Sequence, residues 1–173
     1  MPVIMFKIET ERLIITEFTP EMAGDVHVNS LDEDNRRFMP DEVFETVAEA
    51  KETVAFLITC YDVKGGPFVY PVLLKETGDN LGYVQFVPYE AGWEIGYHIA
   101  KRYTGNGYAT EAVRAFLPVM MDKLRIDKVY GVCVTENTAS RRVMENNGFE
   151  LFYEGIGMYQ GDEREISKYI FSV

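Results

Sequence analysis

Residues 93–112, WEIGYHIAKRYTGNGYATEA, hold the spacing most able to do chemistry. An apolar strand pattern ends near Ile99, a glycine-containing turn follows, and a helix opens at about Gly107. Gly105 and Gly107 let backbone N–H groups turn outward with no Cβ in the way. A helix start adds unpaired N–H donors and a partial positive charge. Together these features form a site for a diphosphate. The plainer reading is a tight strand-to-helix turn that needs glycine for its shape. Two common nucleotide motifs do not fit. No Gly-Lys-Ser/Thr follows the loop, and Thr110 stands where a third glycine of G-x-G-x-x-G belongs. Cys133 has no histidine beside it to activate a thiol, and no G-x-S-x-G is present. The two histidines, His27 and His98, lie in unrelated segments, so no metal site is expected.

The elements around that loop are legible from periodicity. A first strand is expected over 12–18, then a helix begun by Thr19 as N-cap and Pro20 at its first position. The charged run 32–37 reads as a surface segment, and 45–61 has helical spacing through Val47, Ala50, Val54, Leu57 and Ile58. The period then changes. Strands are expected over 68–75 and 81–87 with a hairpin turn at 77–80, and a turn at 88–92 leads to a strand over 93–100. A helix over 107–124 is expected to kink at Pro118. A strand over 128–134, a helix over 138–147 stopped by Gly148, and strands over 149–159 and 165–171 complete the order. The aromatic stretch 149–153 reads as sheet core. The result is an α/β (α+β) chain with a central mixed, mostly antiparallel sheet flanked by helices, expected as one domain over 1–173.

Composition narrows the function. The chain has 173 residues, with 17 Lys and Arg against 28 Asp and Glu, a formal charge of −11. That balance argues against nucleic acid as a partner, because phosphate contacts need clustered basic residues. No apolar run approaches the roughly 20 residues that cross a bilayer, so no membrane association is expected. Glu9 and Glu11 come early, with no basic stretch and apolar core before them, so no signal peptide is expected. Two cysteines form no disulfide framework, and a cytoplasmic location is the default. Oligomeric state is open between monomer and homodimer.

The segment Thr104-Gly105-Asn106-Gly107-Tyr108-Ala109-Thr110-Glu111-Ala112 resembles the acetyl-CoA pyrophosphate loop of the GNAT N-acetyltransferases. It is most similar to the RimJ/RimL-like branch, which acetylates ribosomal-protein N-termini. Three more stretches agree, in the same order. These are Glu9–Ile15 as the opening strand, Glu94-Ile95-Gly96-Tyr97 as the central strand, and the run from Asn137 to Gly148-Phe149 as the second motif. The family's Q/R-x-x-G-x-G/A pattern aligns on Thr104 to Ala109, so Thr104 departs from it; an alternative alignment starts at Arg102 and uses Gly105 and Gly107, and the spacing from Ile99 favours the first. The resemblance implies an acetyl-CoA-dependent N-acetyltransferase on one GNAT-like domain. It implies that the backbone of Tyr97, His98 and Ile99 pairs with the pantetheine arm. It further implies that Gly105, Asn106, Gly107, Tyr108, Ala109 and Thr110 wrap the diphosphate, and that Asn137 holds the pantetheine or a neighbouring turn. Ser140, one helical turn on, faces the cofactor with Asn137. Lys101-Arg102 and Arg141-Arg142 are the basic pairs near enough to meet a 3′-phosphate.

Acyl transfer to an amine needs a proton acceptor, a polarised carbonyl and a proton for the leaving thiolate. Glu94 leads as base, because its apolar neighbours raise a carboxylate pKa toward neutrality; His98 is the alternative. Many GNAT enzymes place a thiolate-protonating Tyr seven residues after the motif Asn. That position is Met144 here, which leaves Ser140 as donor. The same loss motivates a second reading, a catalytically silent CoA-binding or sensory module. The loops before the first hairpin hold Asp32, Glu33, Asp34, Asp41, Glu42, Glu45 and Glu49, opposed by Arg36 and Arg37. Such a rim favours a cationic amine acceptor, either a small molecule or a peptide N-terminus.

Overall fold

The structure, a computed structural model, describes residues 5–173. Eight strands form one sheet: β1 (Lys7–Glu9), β2 (Leu13–Thr16), β3 (Phe68–Leu74), β4 (Asn80–Tyr89), β5 (Gly92–Ile99), β6 (Lys128–Val134), β7 (Glu150–Tyr159) and β8 (Asp162–Ser172). Their spatial order is β1-β2-β3-β4-β5-β6-β8-β7. Five α-helices flank it: α1 (Ala23–Ser30), α2 (Glu33–Phe38), α3 (Val47–Cys60), α4 (Tyr108–Leu124) and α5 (Thr138–Asn146).

Every neighbouring pair of strands is antiparallel except β5 and β6. That parallel pair is short, joining Glu94 to Tyr130 and Ile95 to Gly131. Beyond Ile95, β5 stays paired with β4 as far as Ile99 opposite Gly82, while its other edge parts from β6. The sheet is therefore split in its middle, and residues 96–99 present an open strand edge to the gap.

Strand alternation sorts β5 into two faces. Ile95 and Ile99 are buried in the core beneath α4, with Tyr97 packed against it. The inner side of α4 supplies Ala112, Val113, Phe116, Leu117 and Met120. Glu94, Gly96 and His98 belong to the opposite face. On that face α1 and α3 cover part of the sheet through Ala23, Ala50, Val54 and Leu57 around Phe18 and Val69.

The sequence order holds, with differences at specific places. β1 is a strand separate from β2, and Thr19 makes no side-chain cap; a single 3-10 turn, Pro20–Met22, precedes α1. β4 continues through Pro88 to Tyr89, so the expected turn shrinks to Glu90 and Ala91. Past Phe86 that strand is paired on one side only, which lets it carry a residue without an N–H. As expected, Pro118 falls inside α4, which runs to Leu124. Leu151, Phe152 and Tyr153 are 44%, 52% and 40% exposed, so the aromatic stretch is not sheet core. β7 is the edge strand and is irregular between Leu151 and Tyr153; only Phe149 of the stretch is buried.

Candidate active site

The loop before α4 is built around two left-handed residues, Gly105 at φ +83° and Gly107 at φ +79°. A Cβ on Gly105 would meet nothing within 4 Å, so conformation rather than space requires glycine there. Gly107 is the N-cap of α4, and the first helical bond runs from Glu111 N–H to Gly107 O at 3.0 Å. The amides of Tyr108, Ala109 and Thr110 precede that bond and are free for a ligand. Side chains in the loop are turned inward. Asn106 Nδ2 donates to Tyr103 O (3.0 Å) and Thr104 O (3.3 Å), and Thr104 Oγ1 donates to Lys101 O (2.8 Å). Thr104 thus departs from the family pattern in a side chain that serves its own turn.

Glu111 pins this loop to the sheet. Its carboxylate accepts from Thr10 Oγ1 at 2.6 Å, from Arg12 Nε at 2.8 Å and from Arg12 N–H at 3.3 Å. These bonds hold its pKa below the usual carboxylate value. The Arg12 guanidinium also lies 4.5 Å over the Tyr108 ring.

Across the split, Asn137 caps α5, its Oδ1 accepting Ser140 N–H at 3.2 Å. That oxygen therefore serves the neighbouring turn. The Tyr97 hydroxyl donates to Ser140 O at 2.7 Å and sits 2.9 Å from Ser140 Oγ. Burial pushes the Tyr97 phenol well above its ordinary pKa, so it stays protonated. Sequence reasoning assigned Tyr97 only a backbone role and missed this hydroxyl pair. Strand alternation could have shown it, because Tyr97 shares a face with Ile95 and Ile99 beneath the helices. Met144 is buried and fills the space that the missing side chain of Gly131 leaves. It packs where the family tyrosine would donate.

Glu94 lies on the other face of β5, and among the described residues it makes no hydrogen bond. Burial is the main cause that pushes its pKa up to about 7; Glu42 adds to the rise and Lys168 opposes it. Glu42 comes from the 3-10 turn Pro40–Glu42. The Tyr83 hydroxyl donates to its carboxylate, as does Gln85 Nε2 at 3.3 Å. Sequence reasoning counted Glu42 among the rim acids; the fold takes it inside.

His98 is otherwise engaged. Its Nε2 lies 3.1 Å from Asn29 O and 3.6 Å from Asp32 Oδ2, with a side chain only 9% exposed. A ring nitrogen facing a carbonyl must carry the proton, so Nε2 is a donor here. Burial lowers the His98 pKa, against the opposing effects of the Asn29 carbonyl and Asp32. Cys133 is buried, its thiol pushed up to about 11 by desolvation, as expected of a packing residue. No group of three potential metal ligands occurs among the described residues.

One cleft of about 460 Å³ passes through the split. Its lining includes Thr104, Ala109 and Ser140 from the helical side and Glu42, Glu94 and Tyr159. The acidic rim is more neutral than its sequence. Asp34 pairs with Lys101 at 3.2 Å, Glu45 with Arg36 at 2.5 Å, and Asp32 Oδ2 accepts Lys101 N–H at 2.6 Å. The basic pairs are also occupied in part. Arg102 donates to Asn29 Oδ1 at 2.8 Å, and Arg141 to the Tyr169 hydroxyl at 2.9 Å.

Comparison with known proteins agrees with this geometry. The family model described as "Acetyltransferase (GNAT) domain" matches residues 12–150. The uncharacterized N-acetyltransferase YnaD of Bacillus subtilis (strain 168) is 31% identical over 143 residues, covering 82% of this chain and 81% of its own. A GNAT-family acetyltransferase structure from Bacillus anthracis superposes with a TM-score of 0.83 at 26% identity, covering 96% of this chain and 98% of that one. The structure of a putative ribosomal-protein-serine acetyltransferase from Vibrio cholerae shares the fold, with a TM-score of 0.79 at 20% identity over 97% and 98% of the two chains. An open central strand, a left-handed glycine loop opening a helix, and a match over most of the chain place it in the GNAT acetyltransferase family.

Proposed function

We propose that residues 1–173 act as one cytoplasmic catalytic domain that acetylates a primary amine which is cationic at neutral pH. Acetyl-CoA supplies the thioester from which the acetyl group is transferred directly. The chain fits that group. The outward amides of the loop from Gly105 to Thr110 match a diphosphate, and the open edge of residues 97–99 matches the amides of a pantetheine arm. The amine enters from the face of Glu42 and Glu94. Glu94 takes its proton, a role suited to a carboxyl that titrates near 7. A free N–H on the open edge of β5 polarises the reacting carbonyl. The Tyr97 and Ser140 hydroxyls, 2.9 Å apart, supply the proton that the departing thiolate takes up.

The observation that carries this reading is a half-buried Glu94, with no side-chain hydrogen bond among the described residues, placed where β5 and β6 part, with a hydroxyl pair on the other face. That pair also favours an enzyme over a silent CoA-binding module, since it supplies the donor Met144 cannot. The acceptor class rests on the two half-buried carboxyls, Glu42 and Glu94, and on the resemblance to the RimJ/RimL-like branch. The name of the Vibrio cholerae neighbour, a serine acetyltransferase of ribosomal proteins, supports a peptide N-terminus. Release of free thiol from acetyl-CoA, followed with basic peptide N-termini, a polyamine and an aminoglycoside, is the test. We expect turnover with at least one, a loss of 100-fold or more in kcat for Glu94→Gln, and unchanged acetyl-CoA affinity. Binding of acetyl-CoA without thiol release on any amine would favour the silent module.

A further inference from the structure

Gly96 has an ordinary backbone conformation, yet a Cβ there would fall 2.6 Å from Gln85 Nε2, 2.9 Å from its Cγ and 3.1 Å from its Cδ. Gln85 is the direct cross-strand partner of Gly96 on β4. Its side chain therefore lies flat across β5 in the space glycine leaves, and its Nε2 ends 3.3 Å from Glu42 Oε1. Tyr83, two residues earlier and on the same face, donates its hydroxyl to the other oxygen, Oε2. The turn that carries Glu42 is fastened separately. Asn35 Nδ2 donates to Glu42 O at 3.2 Å, and Gln160 Oε1 accepts Asp41 N–H at 3.0 Å. β4 thus holds the Glu42 carboxylate, while α2 and the turn between β7 and β8 hold its backbone, and Glu42 and Glu94 line the same cleft.

We propose that Glu42 is a positioning residue for the transfer, a fixed negative charge that favours the proton on Glu94, and that the bare backbone of Gly96 lets Gln85 hold it there. This inference rests on Glu94 being the base. The two carboxyls are chemically alike but differently furnished. Glu42 receives two donors, and donors favour the charged form. Glu94 receives none. When the pair carries one proton it resides on Glu94, because two like charges in a desolvated site cannot both form cheaply. Burial raises the Glu42 pKa against its two donors, and Glu42 in turn raises that of Glu94. The other titratable groups on that side of the sheet are Lys168 from β8, Tyr159 from β7 and Tyr130, the register partner of Glu94 on β6. Of these only Lys168 is charged at neutral pH, and it acts in the opposite direction.

The experiment is the pH profile of kcat/KM for thiol release, measured on Glu42→Gln, Gly96→Ala and Glu94→Gln. Glu42→Gln should move the acidic limb to lower pH by about one unit. Gly96→Ala tests the same arrangement without touching either carboxyl: its methyl displaces the flexible end of Gln85, and the limb should move the same way by less. Melting temperature and acetyl-CoA affinity measured alongside separate this from loss of fold, and a merely structural role for Glu42 lowers the plateau without moving the limb. A limb that stays in place in both variants, while Glu94→Gln abolishes it, overturns the inference alone. A limb that survives in Glu94→Gln overturns the assignment of the base.

Discussion

The proton on Glu94 links activity to stability. In the unfolded chain this carboxyl titrates near its free value of 4.5, and in the folded protein at about 7. Between those values the folded state holds a proton that the unfolded state has lost, so stability falls as pH rises through the window and levels off above it. At about 1.4 kcal/mol per unit, the full loss is on the order of 3 kcal/mol. Glu94→Gln removes it. Calorimetric melting should show the variant more stable than the parent by several degrees at pH 8, and nearly equal at pH 4.5. The base would then be a site where activity is kept against stability, and an equal shift at both pH values would argue that Glu94 is solvated. The loop glycines make a separate test. Gly107→Val forces a β-branched residue to φ +79° and should weaken acetyl-CoA binding by well over tenfold in titration calorimetry. Thr104→Ala, which loses only a hydroxyl bonded to its own turn, should change it less than threefold.

At the scale of elements, what was legible followed from period and punctuation. α4, β6 and α5 appear within a residue of their expected bounds because a glycine or a period change marks each end. The splay of β5 from β6 was implied by the family resemblance and not by periodicity, because it depends on the parallel register between strands separated by a whole helix. Nor could the place of Asn35. The run 32–37 is charged and reads as surface, yet Asn35 is only 2% exposed, and its Nδ2 donates to Ser30 O at 2.8 Å as well as to Glu42 O. A helix of six residues can turn one polar side chain inward while the rest stay wet, and composition averages over that difference. The glycine turn that opens α4 was legible because Gly105 and Gly107 punctuate it; the grouping of Glu42 with Tyr83 and Gln85 was not, because they come together only in space. Two elements carry consequences. Asn35→Leu leaves two buried carbonyls short of a donor and should cost about 1–3 kcal/mol in chemical denaturation, loosening the turn that bears Glu42. Glu111→Ala frees the start of α4 from Thr10 and Arg12. Its half-exposed ion pair limits the stability loss to about 1 kcal/mol, but acetyl-CoA affinity should fall severalfold because the cradle loses its anchor.

For the molecule as a whole, the question is whether a charge of −11 gathers a cationic acceptor. The rim does not act as a row of bare carboxylates, since Arg36, Arg37 and Lys101 neutralise Glu45, Glu136 and Asp34. Reversing Asp32 or Asp34 would therefore also release the Lys101 contacts and move the loop, which confounds any reading of the field. Glu33 and Asp41 are exposed and make no side-chain ion pair among the described residues, so lysine at both changes the field by four charges with little local rearrangement. Steering of this kind acts on encounter and not on the bound complex, so it belongs in kcat/KM and is absent from kcat. Screening contracts from about 30 Å at 0.01 M salt to about 8 Å at physiological ionic strength. For a polyamine acceptor, kcat/KM should fall severalfold over that range while kcat stays constant. The Glu33→Lys, Asp41→Lys variant should start near the screened value and respond little to salt. An amine flanked by a carboxylate should show the reverse salt dependence or none. If the polyamine is turned over with the same kcat/KM at both salt concentrations, recognition lies wholly within the cleft, with Glu42 and Glu94, and the surrounding acids serve only to keep the chain in solution.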